Sequence, residues 1–155
     1  MMATAEFSLL EFPDIPRITS IVYEIGILGP ARGFRPFYVG KVERAHRTLG
    51  NRLGEYLVAS CATTTDFYVG NVVAKLQERN IQVYVRHSPS VRPGAEELQR
   101  IHAYASQRVS LLNRFPQYSL LKNCPRVALR SQDGRTRAHI YIRRFIDALV
   151  ANLKL

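Results

Sequence analysis

Five side chains able to act together on a phosphate ester lie close together in the first third of the chain. They are Tyr23, Tyr38, Lys41, Arg52 and Tyr56. A phenol can hold or deprotonate a water molecule, and an ammonium or a guanidinium can offset the charge that develops on phosphorus. Tyrosines in strands usually only pack, and helix arginines are usually solvated. The order and spacing of all five predict a phosphodiester site.

Two strands and a helix must position these residues. The segment Ile18 to Leu28 is rich in Ile, Val and Tyr and predicts a buried strand. A short second strand, Phe37 to Gly40, follows a turn-rich connection, and apolar spacing predicts a helix over Thr48 to Ala59. Arg52 and Tyr56 are four residues apart on that helix, so both lie on one edge and point toward one pocket.

The rest of the chain alternates between helical and extended patterns. We predict helices at Phe67 to Arg79, Ala95 to Asn113 and Arg137 to Lys154, with a strand at Ile81 to His87. Residues 1–17 resemble an arm lying over the domain. The prediction is a single α+β domain, sandwich-like, with a small and mainly antiparallel three-stranded sheet flanked by helices and an extra C-terminal helix.

Composition limits the class of partner. The 155 residues are 46% hydrophobic, enough for one compact core, and the formal net charge is +10. Such a charge favours a polyanion, and nucleic acid, most simply double-stranded DNA, is favoured over an acidic protein or an anionic lipid surface. No uncharged apolar run approaches membrane-spanning length, and no signal peptide is recognised. We expect a cytoplasmic, nucleoid-associated protein without a membrane partner.

Three sequence motifs resemble those of the GIY-YIG nuclease superfamily. Ile21-Val22-Tyr23 corresponds to the first triplet, with Ser20 in place of its glycine, and Tyr38-Val39-Gly40 corresponds to the second. Lys41 after that glycine, and Arg52 followed by Tyr56, are most similar to the N-terminal nuclease domain of the bacterial excision-repair endonuclease and to small GIY-YIG restriction endonucleases.

The resemblance extends over residues 19–123 and leaves 124–155 as a C-terminal extension. Its last part is the basic stretch Arg114 to Lys122, which resembles the Pro-x-Tyr-Asn-x-Leu-Leu-Lys segment of the repair nuclease. The family asparagine of that segment falls on Ser119, which departs from the pattern.

The resemblance also implies a metal-binding glutamate on a helix about two turns before Pro116, and that position is Gln107. A neutral amide oxygen binds Mg²⁺ weakly. Three explanations stay open: an introduced inactivating change, a natural loss of activity, or a displaced carboxylate at Glu97 or Glu96. The first two are favoured because Glu97 lies nearly three helical turns before Gln107.

Within that helix, one apolar stripe is predicted to face the core, with Gln107 on the opposite side. The stripe consists of Leu98, Ile101, Ala105, Val109 and Leu112.

The family analogy implies hydrolysis of DNA with one Mg²⁺ or Mn²⁺ as Lewis acid at position 107. Tyr23, or a water that it holds, is the implied general base, and Tyr38 would position the nucleophile. Lys41 would depress a nearby pKa by its charge. Arg52 would grip the scissile phosphate, and Tyr56 would bond the phosphate or the metal-bound water.

Further contacts to nucleic acid are predicted along the basic loops and the basic stretch Arg114 to Lys122. They are Arg32, Arg35, Arg44, His46, Arg47, Arg114, Ser119 and Lys122. Two alternatives to an endonuclease stay open. One is a non-catalytic DNA- or RNA-binding module or structural subunit on the same scaffold, and the other is a basic protein that contacts an acidic partner. The sequence leaves the oligomeric state open, and a homodimer is compatible with it.

Overall fold

A computed structural model describes residues 5–8, 20–28, 33–43, 48–58, 64–113 and 129–151. The strands are β1 (Ala5–Ser8), β2 (Ile21–Leu28), β3 (Phe34–Val42) and β4 (Val83–Pro89). The helices are α1 (Leu49–Val58), α2 (Thr64–Glu78), α3 (Pro93–Ser106) and α4 (Gln132–Ala151). All neighbouring strands pair antiparallel, in the order β1-β4-β2-β3. The predicted α+β class and C-terminal helix are confirmed, and β1 from the predicted arm adds a fourth strand.

Alternation along β2 separates two faces of the sheet. Ile21, Tyr23 and Ile25 belong to the larger core, to which α1, α2 and α4 also contribute buried residues. Val22 belongs to a smaller core that includes Ile101 of α3. The sheet therefore has α1, α2 and α4 on one side and α3 on the other.

The strand β3 lies at the edge of the sheet, and it is longer than the four residues predicted from sequence. Its pairing with β2 shifts between Ile25 and Gly26, where a bulge re-aims the following side chains. A segment after α3 covers part of its outer edge. There the Leu112 backbone N–H donates to the Phe37 carbonyl at 2.7 Å, and the Asn113 amide bonds both polar groups of the Val39 backbone at 2.6 and 3.0 Å.

The start of α1 is set by reciprocal capping. The Thr48 hydroxyl accepts the Asn51 backbone N–H at 3.2 Å, while the Asn51 side-chain oxygen accepts the Thr48 backbone N–H at 3.2 Å. Each side chain satisfies an amide that has no partner within the helix. This cap stabilises the first turn of the helix that carries Arg52 and Tyr56.

The predicted extent of the helix from Ala95 to Asn113 is wrong. Helix α3 ends at Ser106, Gln107 is its C-cap, and Arg108 adopts a left-handed φ of 59°. A left-handed residue stops the helix because its carbonyl no longer points along the axis. The predicted core stripe also fails in part, because Val109 and Leu112 lie beyond the end of α3 and, within the helix, Leu98 is 40% exposed.

Helix α4 begins at Gln132, five residues before the predicted start at Arg137. Leu129 and Arg130 form a turn ahead of it. Among the described residues, no helix is both long and apolar enough to cross a membrane.

Candidate active site of tyrosines and arginine

Three tyrosines from two strands and a helix meet on the side of the sheet that carries the larger core. The hydroxyl oxygens of Tyr23 in β2 and Tyr56 in α1 are 2.7 Å apart, and both residues are buried. The ring of Tyr38 in β3 lies 6.3 Å from that of Tyr23 and 5.8 Å from that of Tyr56. Tyr38 is only partly buried, so it is the member of this tyrosine cluster nearest to solvent.

The glycine of the second motif makes room for this arrangement. Gly40 pairs with Tyr23 across the two strands, so a side chain there would point to the same face. A Cβ atom at position 40 would lie 2.3 Å from Cζ and 2.4 Å from the hydroxyl oxygen of Tyr23. The Tyr23 ring thus lies directly over the Gly40 backbone, and this close approach requires glycine.

Arg52 lies at the rim of the cluster. Its guanidinium carbon is 4.5 Å from the centre of the Tyr56 ring, a cation–π geometry. One nitrogen donates to Asp66 at 2.8 Å and to Glu55, and the Arg52 side chain stays 18% exposed. Asp66 lies fourteen residues after Arg52, in the first turn of α2. The sequence did not predict this contact, because only the packing of α1 on α2 brings Asp66 to Arg52.

Burial keeps the phenols protonated. It raises the pKa of Tyr23, with a smaller contribution from Tyr38, and hydrogen bonding to Tyr56 and the charge of Arg52 only partly offset this rise. Burial likewise raises the pKa of Tyr38 and of Tyr56. A phenol needs a lowered pKa to act as a base at neutral pH. In this arrangement all three hydroxyls are neutral hydrogen-bonding groups.

Lys41 lies on the other side of the sheet. It pairs with Val22, whose side chain belongs to the α3 side, and its ammonium forms a 3.0 Å salt bridge with Glu43. A Cβ atom at Gly94, in the first turn of α3, would lie 3.2 Å from the Lys41 nitrogen. The structure therefore brings Tyr23, Tyr38, Arg52 and Tyr56 together and directs Lys41 toward the start of α3.

Glu97 lies in α3, on the same side of the sheet as Lys41. Burial raises its pKa, the charge of Lys41 lowers it, and the charge of Glu43 raises it. The negative charge of Glu97 also contributes to raising the pKa of Tyr38, after the larger effect of burial. Glu97 thus lies within electrostatic range of both Lys41 and Tyr38, and it is partly buried.

Gln107, the residue at the family metal position, lies elsewhere. It is exposed beyond the end of α3, where its backbone N–H bonds the carbonyls of Ala103 and Tyr104. Ten residues of helix separate it from Glu97, which is about 15 Å along the axis. Of the two positions, Glu97 is the one whose charge acts on Tyr38.

The other predicted contacts to nucleic acid fall largely outside the described residues. These are Arg32, Arg44, His46, Arg47, Arg114, Ser119 and Lys122. Arg35 is described, and it is exposed on β3 opposite Ile27. Its role in binding stays a prediction. Within the ranges that the structure describes, no group of three or more His, Cys, Asp or Glu side chains could hold a metal ion.

A second polar cluster lies on the α3 side of the sheet. The buried carboxylate of Glu24 accepts from Arg86 at 3.1 Å, from Arg100 at 3.0 Å and from the Tyr104 hydroxyl. Arg100 also donates to Ser88 at 2.6 Å. Sequence reasoning did not single out this Glu24 network. The alternation of β2 could have predicted it, because consecutive strand residues point to opposite faces and Glu24 follows Tyr23.

Comparison of the chain with protein-family models, with curated proteins and with solved structures finds no match.

Proposed function

We propose that this protein is a metal-dependent endonuclease that hydrolyses DNA phosphodiester bonds at the tyrosine cluster and Arg52. The observation that carries the proposal is the convergence of three tyrosines with Arg52. The Tyr23 and Tyr56 hydroxyls share a 2.7 Å hydrogen bond, the Tyr38 ring packs beside both, and Arg52 lies over the Tyr56 ring. Phenols and a guanidinium are donors suited to phosphate oxygens.

Each residue has a role that fits its exposure. Arg52 binds the scissile phosphate and stabilises the charge of the transition state, and to do so it must exchange Glu55 or Asp66 for a phosphate oxygen. Tyr38, partly exposed, orients the attacking water as a neutral phenol. Tyr23 and Tyr56 are positioning residues, because both are buried and their hydroxyls bond each other.

The residues present fit one divalent cation held through few protein ligands. Mg²⁺ is commonly bound by one or two carboxylates together with waters and substrate phosphates, so a cluster of three ligands is not required. Glu97 is the carboxylate that would hold the cation, in place of Gln107. Glu43, which forms a salt bridge with Lys41, is close enough for its charge to act on Glu97. When bound, Mg²⁺ or Mn²⁺ supplies a Lewis acid to a phosphoryl oxygen.

Nicking of supercoiled plasmid with Mg²⁺, with Mn²⁺ or with a chelator tests the proposal. We expect metal-dependent nicking that is lost in Glu97→Gln and retained in Gln107→Ala. Glu96→Gln is the matched control, since Glu96 forms a 2.7 Å salt bridge with Arg100 on the same turn. Loss of nicking in Gln107→Ala with full activity in Glu97→Gln would assign the metal to position 107 instead.

The second candidate is a non-catalytic nucleic-acid-binding module. The engagement of Arg52 by two carboxylates favours it, because those contacts already satisfy the guanidinium. Binding of DNA or RNA without nicking, both in the natural sequence and in Gln107→Glu, would establish this module and reject the endonuclease.

A further inference from the structure

Helix α4 carries an excess of positive charge that the other helices lack. It contains Arg135, Arg137, Arg143 and Arg144 against Asp133 and Asp147. Helix α1 has one basic and one acidic residue, and α2 and α3 each have one more acidic than basic residue. Among these four helices, α4 is thus the one with a net positive charge.

The solvent side of α4 combines these charges with exposed apolar surface. Arg137, Ile140, Tyr141 and Arg144 follow the spacing i, i+3, i+4 and i+7, which places them on one stripe. Both arginines are exposed, Ile140 is 44% exposed, and the Arg144 guanidinium carbon lies 5.9 Å from the Tyr141 ring centre. Neither arginine forms a salt bridge with a carboxylate in the described part of the chain.

Positive charge continues around α4 toward α2. His139 packs on Phe67 of α2 with ring centres 5.3 Å apart, and its Nδ1 atom is buried without a hydrogen-bond partner in the described residues. Burial lowers the pKa of His139, and the charges of Lys75 and Arg143 lower it further. Asp147, one turn beyond Arg143, bonds Arg79 at 3.1 Å.

We propose that this outer face of α4 binds the phosphate backbone of double-stranded DNA, with Arg137 and Arg144 each contacting a phosphate. At about 1.5 Å per residue, the interval of seven residues separates the Cα atoms of the two arginines by about 10.5 Å, so their long side chains can reach two different phosphates of one duplex. Such contacts fix the position of a duplex without reading its sequence. The surface lies outside the tyrosine cluster, so the inference goes beyond the proposed function and does not require cleavage.

The test measures duplex binding by fluorescence anisotropy between about 50 and 200 mM salt. The logarithm of affinity falls linearly with the logarithm of salt concentration, with a slope of about 0.9 per neutralised phosphate. We expect Arg137→Gln with Arg144→Gln to reduce the salt slope by about 2. The matched control is Arg92→Gln with Arg108→Gln, which removes two exposed arginines at the ends of α3. The proposal would be overturned if the α4 double variant had the same salt slope as the unsubstituted protein. It would also be overturned if both double variants lost the same amount of slope.

Anionic vesicles provide a second test, because they present negative charge without a duplex backbone. Binding to anionic vesicles but not to duplex would also reject the proposal.

Failure of the proposed nuclease activity is separable from failure of this inference. Plasmid nicking measures cleavage and the salt slope measures binding by the α4 face, so either result can fail without the other. Binding that depends on α4 without any cleavage would support this inference while rejecting the endonuclease.

Discussion

The two faces of the sheet carry polar clusters built from the same residue types, tyrosine, arginine and glutamate. On the α3 side, the charge of Glu24 lies at the centre, and Arg86, Arg100 and Tyr104 donate to it. On the other side, neutral phenols occupy the centre, and the charges of Arg52 and its carboxylates lie at the rim.

The difference separates a structural network from a candidate site. A buried carboxylate must be compensated, so the donors of the Glu24 network are committed to holding it. Neutral phenols need no such compensation, and Tyr38 remains partly exposed. The two clusters are similar in burial and in residue type. They differ in where the charged groups lie, at the centre of the Glu24 network and at the rim of the tyrosine cluster.

The largest expected effect is on catalysis. Arg52→Lys keeps a positive charge beside Asp66 but loses the planar fork, so nicking should fall by about 10²- to 10³-fold. Lysine is a sharper choice than alanine, which would leave buried Asp66 without its cation. Arg100→Lys makes the same change in the Glu24 network and should alter nicking little. A similar loss in both variants would abolish the distinction between the clusters.

Next in size is the loss of a buried charge. Glu24→Ala leaves Arg86 and Arg100 without their shared acceptor, and should lower the free energy of unfolding by about 2–3 kcal/mol. Urea denaturation of the variant and of the unsubstituted protein measures this difference in the free energy of unfolding. Asp147→Ala removes an exposed salt bridge with Arg79 and should cost less than about 1 kcal/mol. Equal costs for the two variants would show that the Glu24 network is not structurally essential.

A smaller effect is expected from crowding at the tyrosine cluster. Gly40→Ala would force its Cβ into the Tyr23 ring and should lower the free energy of unfolding by about 2 kcal/mol. Gly50→Ala is the control, since its Cβ would meet only the Thr48 hydroxyl at 3.7 Å. That change should stabilise α1 by up to about 1 kcal/mol. Thermal or urea unfolding of both proteins gives the comparison, and a neutral Gly40→Ala would contradict the observed ring placement.

The smallest cost at neutral pH is expected from removing a buried phenol, whose larger effect on stability appears only in alkali. Burial raises the pKa of Tyr23, Tyr38 and Tyr56, and also of Tyr104 in the Glu24 network. Above about pH 10 the unfolded chain loses these protons while the folded chain keeps them. The free energy of unfolding should therefore fall by about 1.4 kcal/mol per pH unit for each tyrosine, until its folded pKa is reached.

Urea denaturation between pH 8 and 11 measures this slope. Tyr56→Phe and Tyr104→Phe should each reduce the slope by about one proton, at a cost near 1 kcal/mol at neutral pH for the lost hydrogen bond. A slope that neither substitution changes would mean that these phenols ionise normally in the folded protein.

Much of the site could be predicted from local sequence. The segments that became β2 and α1 have strong short-range periodicity, and the four-residue spacing of Arg52 and Tyr56 was enough to place both on one edge of α1. Strand alternation also contained information that the sequence analysis did not use. Tyr38 and Lys41 are three residues apart in one strand, an odd spacing that directs them to opposite faces.

The sequence by itself determined the class of fold and the positive charge, because these depend on residue types and on periods of a few residues. The meeting of three tyrosines with Arg52 was an expectation from the family resemblance, and the structure brings these residues together. The tertiary structure alone decided the contact of Arg52 with Asp66 and the end of α3 at Ser106. Each of those depends on packing between elements distant in the chain, and local sequence patterns do not encode such packing.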